Sequence, residues 1–137
     1  GNEPGHHIVY LYNYTDDHRK TQQRVRMILK TMYSNSEDGL CGNDDAGQMS
    51  AWYIFNSLGF YPMNPGSTKY ELASPLVKSA VLNLENGNTF EIVAKNQSEK
   101  HVFVKEIVLN GENLDRTYLL HEEIVKGGKL VFNMSRK

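Results

Sequence analysis

QMSAWYIFNSLGFYPMNPG, Gln48 to Gly66, is the stretch at which this chain changes character. Met49, Ala51, Trp52, Tyr53, Ile54, Phe55 and Leu58 put apolar groups nearly all round a helix, and Gly59 stands where a C-cap glycine belongs. Pro62 and Pro65-Gly66 then form a rigid connector. The pattern predicts a helix over Gln48 to Leu58 and no further helices after it. A helix with so little polar face must be buried in something larger.

Upstream, Thr15 to Tyr33 reads as a second helix, with Val25, Ile28, Leu29, Met32 and Tyr33 on one stripe and Lys20, Arg24 and Lys30 off it. Thr15 is its expected N-cap, and Asp16 and Asp17 suit the positive end of its dipole. Ser34 to Gly47, rich in Ser, Asn, Asp and Gly, breaks the two helices apart. Two helices cannot cover each other fully, so an incomplete helical layer resting on a complete β region is expected. Gly1 opens inside a polar segment, GNEPGHH, with no methionine before it. The chain is therefore expected to be a fragment of a longer protein.

Downstream the signal is alternation. Ala80 to Leu84 and Thr89 to Ala94 flank Glu85-Asn86-Gly87-Asn88, where Asn-Gly favours a hairpin turn. Val102 to Leu109 alternates and ends at Asn110-Gly111, Tyr118 to Leu120 is a short strand, and Lys129 to Met134 follows Gly127-Gly128. The fold class expected is α+β, with terminal helices followed by an antiparallel sheet or small β-sandwich.

Composition excludes several function classes. The chain has 137 residues, 39% of them hydrophobic, and a formal net charge of −1. It carries no basic patch with interleaved aromatics, so nucleic acid is not an expected partner. No apolar run approaches the roughly 18 residues of a membrane span. Cys41, the single cysteine, rules out an intrachain disulfide and reads as a small buried hydrophobe in preference to a reactive thiol. Three glycosylation-type triplets begin at Asn13, Asn96 and Asn133, a signal that carries meaning only in a eukaryotic secretory context.

Two short segments carry the chemistry, GNEPGHH at Gly1 to His7 and GLCGNDDAGQMSAWY at Gly39 to Tyr53. Asp44 and Asp45 precede the second helix, where a carboxylate caps free N–H groups and complements the dipole. Two adjacent acids exceed what capping needs and leave one for a base or a metal ligand. Oxygen donors of this kind suit calcium, although the spacing is not that of an EF-hand loop. Asn2, Glu3, His6 and His7 do not have the HExxH spacing of a zinc site, and Asn2 and Glu3 are read as cation or sugar contacts. Tyr10, Tyr12, Tyr14, Trp52 and Tyr53 read as core, with a sugar-stacking surface as the alternative. Gln48, one turn from the two aspartates, either orients a carboxylate or faces solvent.

Read together, GNEPGHHIVYLYNY, KTQQRVRMILKTMYSNSEDGLCGNDDAGQMSAWYIFNSLGFYPMNPGS and HEEIVKGGKLVFNM resemble glycoside hydrolase family 92, the calcium-dependent exo-acting α-mannosidases. The resemblance implies that residues 1–66 are the last helices and loops of an (α/α)6 toroid and that residues 67–137 are a C-terminal antiparallel β region. It implies inverting hydrolysis of terminal mannose from glycans, N-glycans among them, most often α-1,2-linked, with calcium holding the sugar. In the GNDDAGQMSAW motif Asp45 is then the general base and Asp44 the fallback. The family often carries an acid where this chain has Asn43, which leaves Asn43 as a substrate contact. Asn2 and Glu3 are implied as substrate contacts and, with Asp45, as calcium ligands. The family's general acid lies upstream of GNEP, so these 137 residues alone are expected to be inactive and to need the remainder of the parent enzyme. A bacterial periplasmic or cell-surface location is also implied.

Two rivals stand beside this reading. One is a non-catalytic carbohydrate-binding module in which Tyr70 to Lys137 binds a glycan and the helices only pad it. The other is a scaffold domain with no ligand.

Overall fold

The computed structural model describes residues 3–137, Glu3 through its backbone alone. Two 3-10 helices, Glu3–Gly5 and Ile8–Tyr14, lead into α1 (Arg19–Thr31) and α2 (Gln48–Leu58). Helix α1 starts later than its pattern suggests. Thr15 does not cap it, because the Thr15 hydroxyl and N–H both donate to the Tyr12 carbonyl, at 2.9 and 3.2 Å, closing the 3-10 turn instead. Val25 and Leu29 form the buried stripe of α1, as their spacing predicts. Arg26, next to that stripe, is also buried. Its guanidinium donates to the carbonyls of Pro75 and Ser98, at 2.9 and 3.0 Å, and so pins α1 to two loops of the β region.

Helix α2 has the predicted limits and ends at Gly59, whose φ of +99° is the left-handed C-cap conformation. Its third- and fourth-last carbonyls, those of Asn56 and Phe55, both accept the Gly59 N–H, at 3.0 and 3.1 Å. From there the chain passes directly into β1 (Phe60–Tyr61), which pairs with β2 (Lys69–Leu72), which pairs in turn with β7 (Tyr118–Leu120), all antiparallel.

A second sheet runs β3-β4-β8-β5-β6, comprising β3 (Ser79–Asn83), β4 (Thr89–Lys95), β5 (Phe103–Leu109), β6 (Glu112–Asn113) and β8 (Gly128–Ser135). The β3–β4 hairpin closes through a turn in which the Gly87 N–H donates to the Leu84 carbonyl. Asn110 and Gly111 both have positive φ, +52° and +91°, the type I′ geometry that matches strand twist between β5 and β6. The α+β class holds, and every pairing but one is antiparallel as expected. The exception is β8, which lies parallel to β4 with Phe90 opposite Gly128. It reaches the centre of the sheet from a short helix, α3 (His121–Val125), that starts in the other sheet. Such an entry suits Gly128, with φ of +121°, because a Cβ there would meet the Asn110 side-chain oxygen at 2.0 Å.

Two apolar cores result. Phe90, Ile92, Ala94, Leu130, Phe132 and Met134 alternate inward from β4 and β8 and pack with Phe60, Leu72, Leu119 and Ile124. Tyr10, Val25, Leu29, Trp52, Tyr61 and Ala73 form the other, between the helices and β1, and Phe55 packs against both. Each fully buried side chain of this size contributes about 1.5–3 kcal/mol relative to exposure. The large apolar side chains left exposed are unevenly placed: Ile8, Leu11, Tyr14, Met27, Met32 and Ile54 lie on the helical half, and Val81 alone lies in the sheet. The exposed apolar side chains are thus concentrated on the helical half.

The 3-10 helix Ile8–Tyr14 is held to β2 by a buried acid. Glu71 accepts from Asn13 Nδ2 at 2.8 Å and from the Tyr14 hydroxyl at 2.7 Å. The bond to Glu71 favours the neutral phenol and pushes the Tyr14 pKa from 10.0 up to about 12. A raised phenol pKa adds stability that is complete below the ordinary value and is lost as pH rises through about 12. Ultraviolet titration of the Tyr14→Phe variant against the parent chain is expected to remove one late-ionising tyrosine and leave the earlier ones in place.

Candidate functional site

The loop between α1 and α2 is built to present its two aspartates differently. Asp44 is tied down: its carboxylate accepts the Ser50 N–H at 2.8 Å and the Ser50 hydroxyl at 3.0 Å, and its carbonyl accepts the Met49 N–H. Asp44 thus accepts a free N–H of the first turn of α2, as expected of one of the pair, although Gly47 holds the N-cap position itself. Asp45 is exposed, and its carboxylate has no hydrogen-bond partner among the described residues. Its backbone is left-handed, as are Ala46 and Gly47 after it, with φ of +47°, +59° and +92°. Left-handed backbone at non-glycine residues costs roughly 1–3 kcal/mol each and concentrates at functional sites. Asn43, also exposed, precedes them on the same loop.

The first polar segment meets this loop through α2. The His6 ring lies 5.2 Å from the Trp52 ring, its Nε2 lies 3.1 Å from Met49 Sδ, and Trp52 Nε1 donates to the His6 carbonyl at 3.4 Å. Burial lowers the His6 pKa below its ordinary value, which keeps the imidazole neutral near pH 7. The Tyr33 ring also stacks with Trp52, at 5.9 Å with the planes 7° apart. Burial raises the Tyr33 pKa, and its hydroxyl donates to the Met49 carbonyl at 3.2 Å. His6, Tyr33, Cys41, Met49 and Trp52 line a cavity of about 210 Å³ beside the aspartate loop.

Several sequence expectations change here. Asn2 lies outside the described residues, and the Glu3 side chain is likewise not described. Cys41 is exposed where burial was expected, because it sits in a polar loop that packs nothing over it. Gln48 neither orients a carboxylate nor faces solvent: its Nε2 donates to the Tyr61 hydroxyl at 2.6 Å. Tyr10, Trp52 and Tyr61 are core, and Tyr10 donates to the buried Asn56 side chain, which in turn donates to the Trp52 carbonyl at 2.8 Å. The Tyr10 side chain is therefore no sugar platform. Sequence reasoning missed Glu71, Arg26 and Tyr61, whose burial depends on contacts distant in sequence.

A larger cleft of about 840 Å³ runs between α1 and the β8-β5-β6 side of the five-stranded sheet. Some of its polar side chains are paired, Asn133 to Glu106 at 2.6 Å, Gln22 to the Val104 N–H at 2.9 Å and Arg116 to Glu123. Neither aspartate of the loop borders it. Among the described residues no three His, Cys, Asp or Glu side chains gather as a metal site.

The chain is similar to known proteins along its length. The family model described as the glycosyl hydrolase family 92 catalytic domain matches residues 1–136. An α-mannosidase of that family from Bacteroides thetaiotaomicron superposes with a TM-score of 0.96 at 47% identity, over 100% of this chain and 18% of the mannosidase. The same mannosidase has been solved in complex with mannoimidazole. An inverting mannosidase of the family from that bacterium superposes at 0.92 with 38% identity, over 99% of this chain and 18% of its own. A protein of Arthroderma benhamiae named as an uncharacterized secreted glycosidase is 26% identical over 100% of this chain and 18% of its own length. The chain thus spans about a fifth of the length of these relatives. No described helix is long and apolar enough to cross a membrane.

Proposed function

The chain belongs to glycosyl hydrolase family 92, and we propose that it is the C-terminal part of an exo-acting, inverting α-mannosidase that removes terminal mannose, most often α-1,2-linked, from glycans. Support comes from two similar mannosidases, one bound to a mannose-like ligand and the other named as inverting. The exposed apolar side chains of the helical half support partnership with the remainder of a longer enzyme.

The observation that carries the assignment is the contrast between the two aspartates. Inverting hydrolysis uses one carboxylic acid to protonate the leaving oxygen and a second carboxylate to take a proton from water attacking the opposite face of the sugar. A base needs an accessible carboxylate with lone pairs not already engaged. Asp45 has that, while both oxygens of Asp44 are engaged by Ser50. Asp45 is therefore the general base of this proposal, and Asp44 holds the loop to α2. Asn43 sits beside the base as a sugar contact, and Asn2 and Glu3 join it from the first segment. The general acid belongs to the part of the enzyme outside this chain.

Calcium enters only as a shared site. Asp45 is a hard oxygen donor of the right type, with Asn2 and Glu3 as further candidates, but the ion takes six to eight oxygens. The described residues gather no such set, so they do not complete a calcium site and no step is derived through it. An extracytoplasmic location, periplasmic or on a bacterial surface, fits the secreted relative.

The test is hydrolysis of an α-1,2-mannobioside followed by proton NMR. The full-length parent is expected to release β-mannose first, and the 137-residue chain alone is expected to release none. Turnover by the chain alone would place the acid within it, and first release of α-mannose would exclude inversion.

A further inference from the structure

The cavity beside the aspartate loop is lined by an unusual set of donors. His6 supplies an imidazole, Cys41 a thiol, and Met32 and Met49 two thioethers. His6 Nε2 and Met49 Sδ already approach to 3.1 Å, and His6 Nδ1 is buried with no hydrogen-bond partner among the described residues. Cys41 is the only cysteine of the chain and is exposed at the cavity. Among the residues whose side chains are described, no carboxylate borders this cavity. Its remaining walls are apolar or aromatic, with Ile28, Val9, Tyr33 and Trp52 among them.

Thiolate, thioether and imidazole donors without oxygen select soft ions over calcium, magnesium or manganese. We propose that this cavity binds one soft monovalent d10 cation, copper(I) or silver(I), between His6, Cys41 and Met49, with Met32 as the outer donor. On binding, the Cys41 thiol gives its proton to solvent and the thiolate takes the metal. An imidazole offers a ring nitrogen lone pair to such an ion, and His6 Nδ1 has no hydrogen-bond partner among the described residues. The site is chemically separate from any calcium site at Asp45, and an ion in it packs against the first turns of α2.

Trp52 supplies the readout, because it is the only tryptophan of the chain and its ring borders the cavity against His6. Silver nitrate, a redox-stable probe, is titrated into the chain in nitrate buffer while Trp52 fluorescence is followed. Quenching that saturates at one equivalent is expected. Loss of one ligand by Cys41→Ser or Met49→Leu is expected to weaken binding by at least the roughly 10–100-fold that loss of an outer-shell partner causes. Met27→Leu, on α1 but outside the cavity, is expected to leave the titration unchanged. Absence of quenching, or quenching that survives either Cys41→Ser or Met49→Leu, would overturn the proposal, the second case meaning that silver sits on the exposed Cys41 thiol alone.

Discussion

Asp45→Asn in the full-length parent is expected to lower kcat by roughly 10²–10⁴-fold, the usual worth of a general base, with little change in KM. Asparagine is the informative replacement because it removes the charge and keeps the shape. It also tolerates the left-handed backbone that Asp45 occupies at φ of +47°. The melting temperature is therefore expected to stay where it was. The acid limb of the kcat pH profile, which reports ionisation of the base, should disappear. Asp44→Ala is expected to behave in the opposite way. It removes two bonds from Ser50, and losing such a cap costs about 1 kcal/mol. Activity per folded molecule should fall far less than in Asp45→Asn. If the two variants exchanged behaviours, the base would be Asp44 and the capping geometry would have to open on substrate binding.

The parts of this fold that were legible in the sequence are those decided by a few neighbouring residues. The α2 limits follow from an apolar run ended by Gly59, and the Asn110-Gly111 turn follows from two residues that accept positive φ. The α1 start was misplaced because the Thr15 hydroxyl has two local uses, and the 3-10 helix before it claims both the hydroxyl and the N–H. Parallel pairing of β8 with β4 is invisible locally, since the partners Phe90 and Gly128 lie far apart in the chain and only the path through α3 brings β8 in from that end. The two aspartates were legible as candidates, but only the family resemblance ranked Asp45 before Asp44. The physical difference between them lies in Ser50, whose backbone N–H and hydroxyl both donate to Asp44. Likewise Gln48 has two obvious uses in sequence, and it adopts neither because Tyr61, thirteen residues on, offers its hydroxyl in the core.

Phe132→Ala is expected to lower stability by about 3–5 kcal/mol, the cost of deleting a buried aromatic ring, read as a lower urea midpoint with an unchanged slope. Phe132 is fully buried at the centre of β8, between Ala94 of β4 and Ile107 of β5. Its ring also reaches the end of α2: a Cβ added at Gly59 would meet Phe132 Cζ at 2.9 Å and Pro75 Cβ at 3.1 Å. Gly59→Ala therefore carries two penalties, left-handed backbone worth roughly 1–2 kcal/mol and a collision with the ring. Removing the ring removes the collision and leaves the backbone term. In a double-mutant cycle Gly59→Ala should thus cost less in the Phe132→Ala background than in the parent, while additivity would mean that the two sites do not touch energetically. The contact matters beyond stability because α2 is the element that carries the aspartate loop at its other end. Its C-terminus is packed against the sheet core at Gly59, and its N-terminus is capped by Asp44. Anchoring at both ends fixes where Asp45 stands. Phe132→Ala should accordingly reduce the amount of folded enzyme and leave kcat per folded molecule close to the parent, whereas Asp45→Asn should do the reverse.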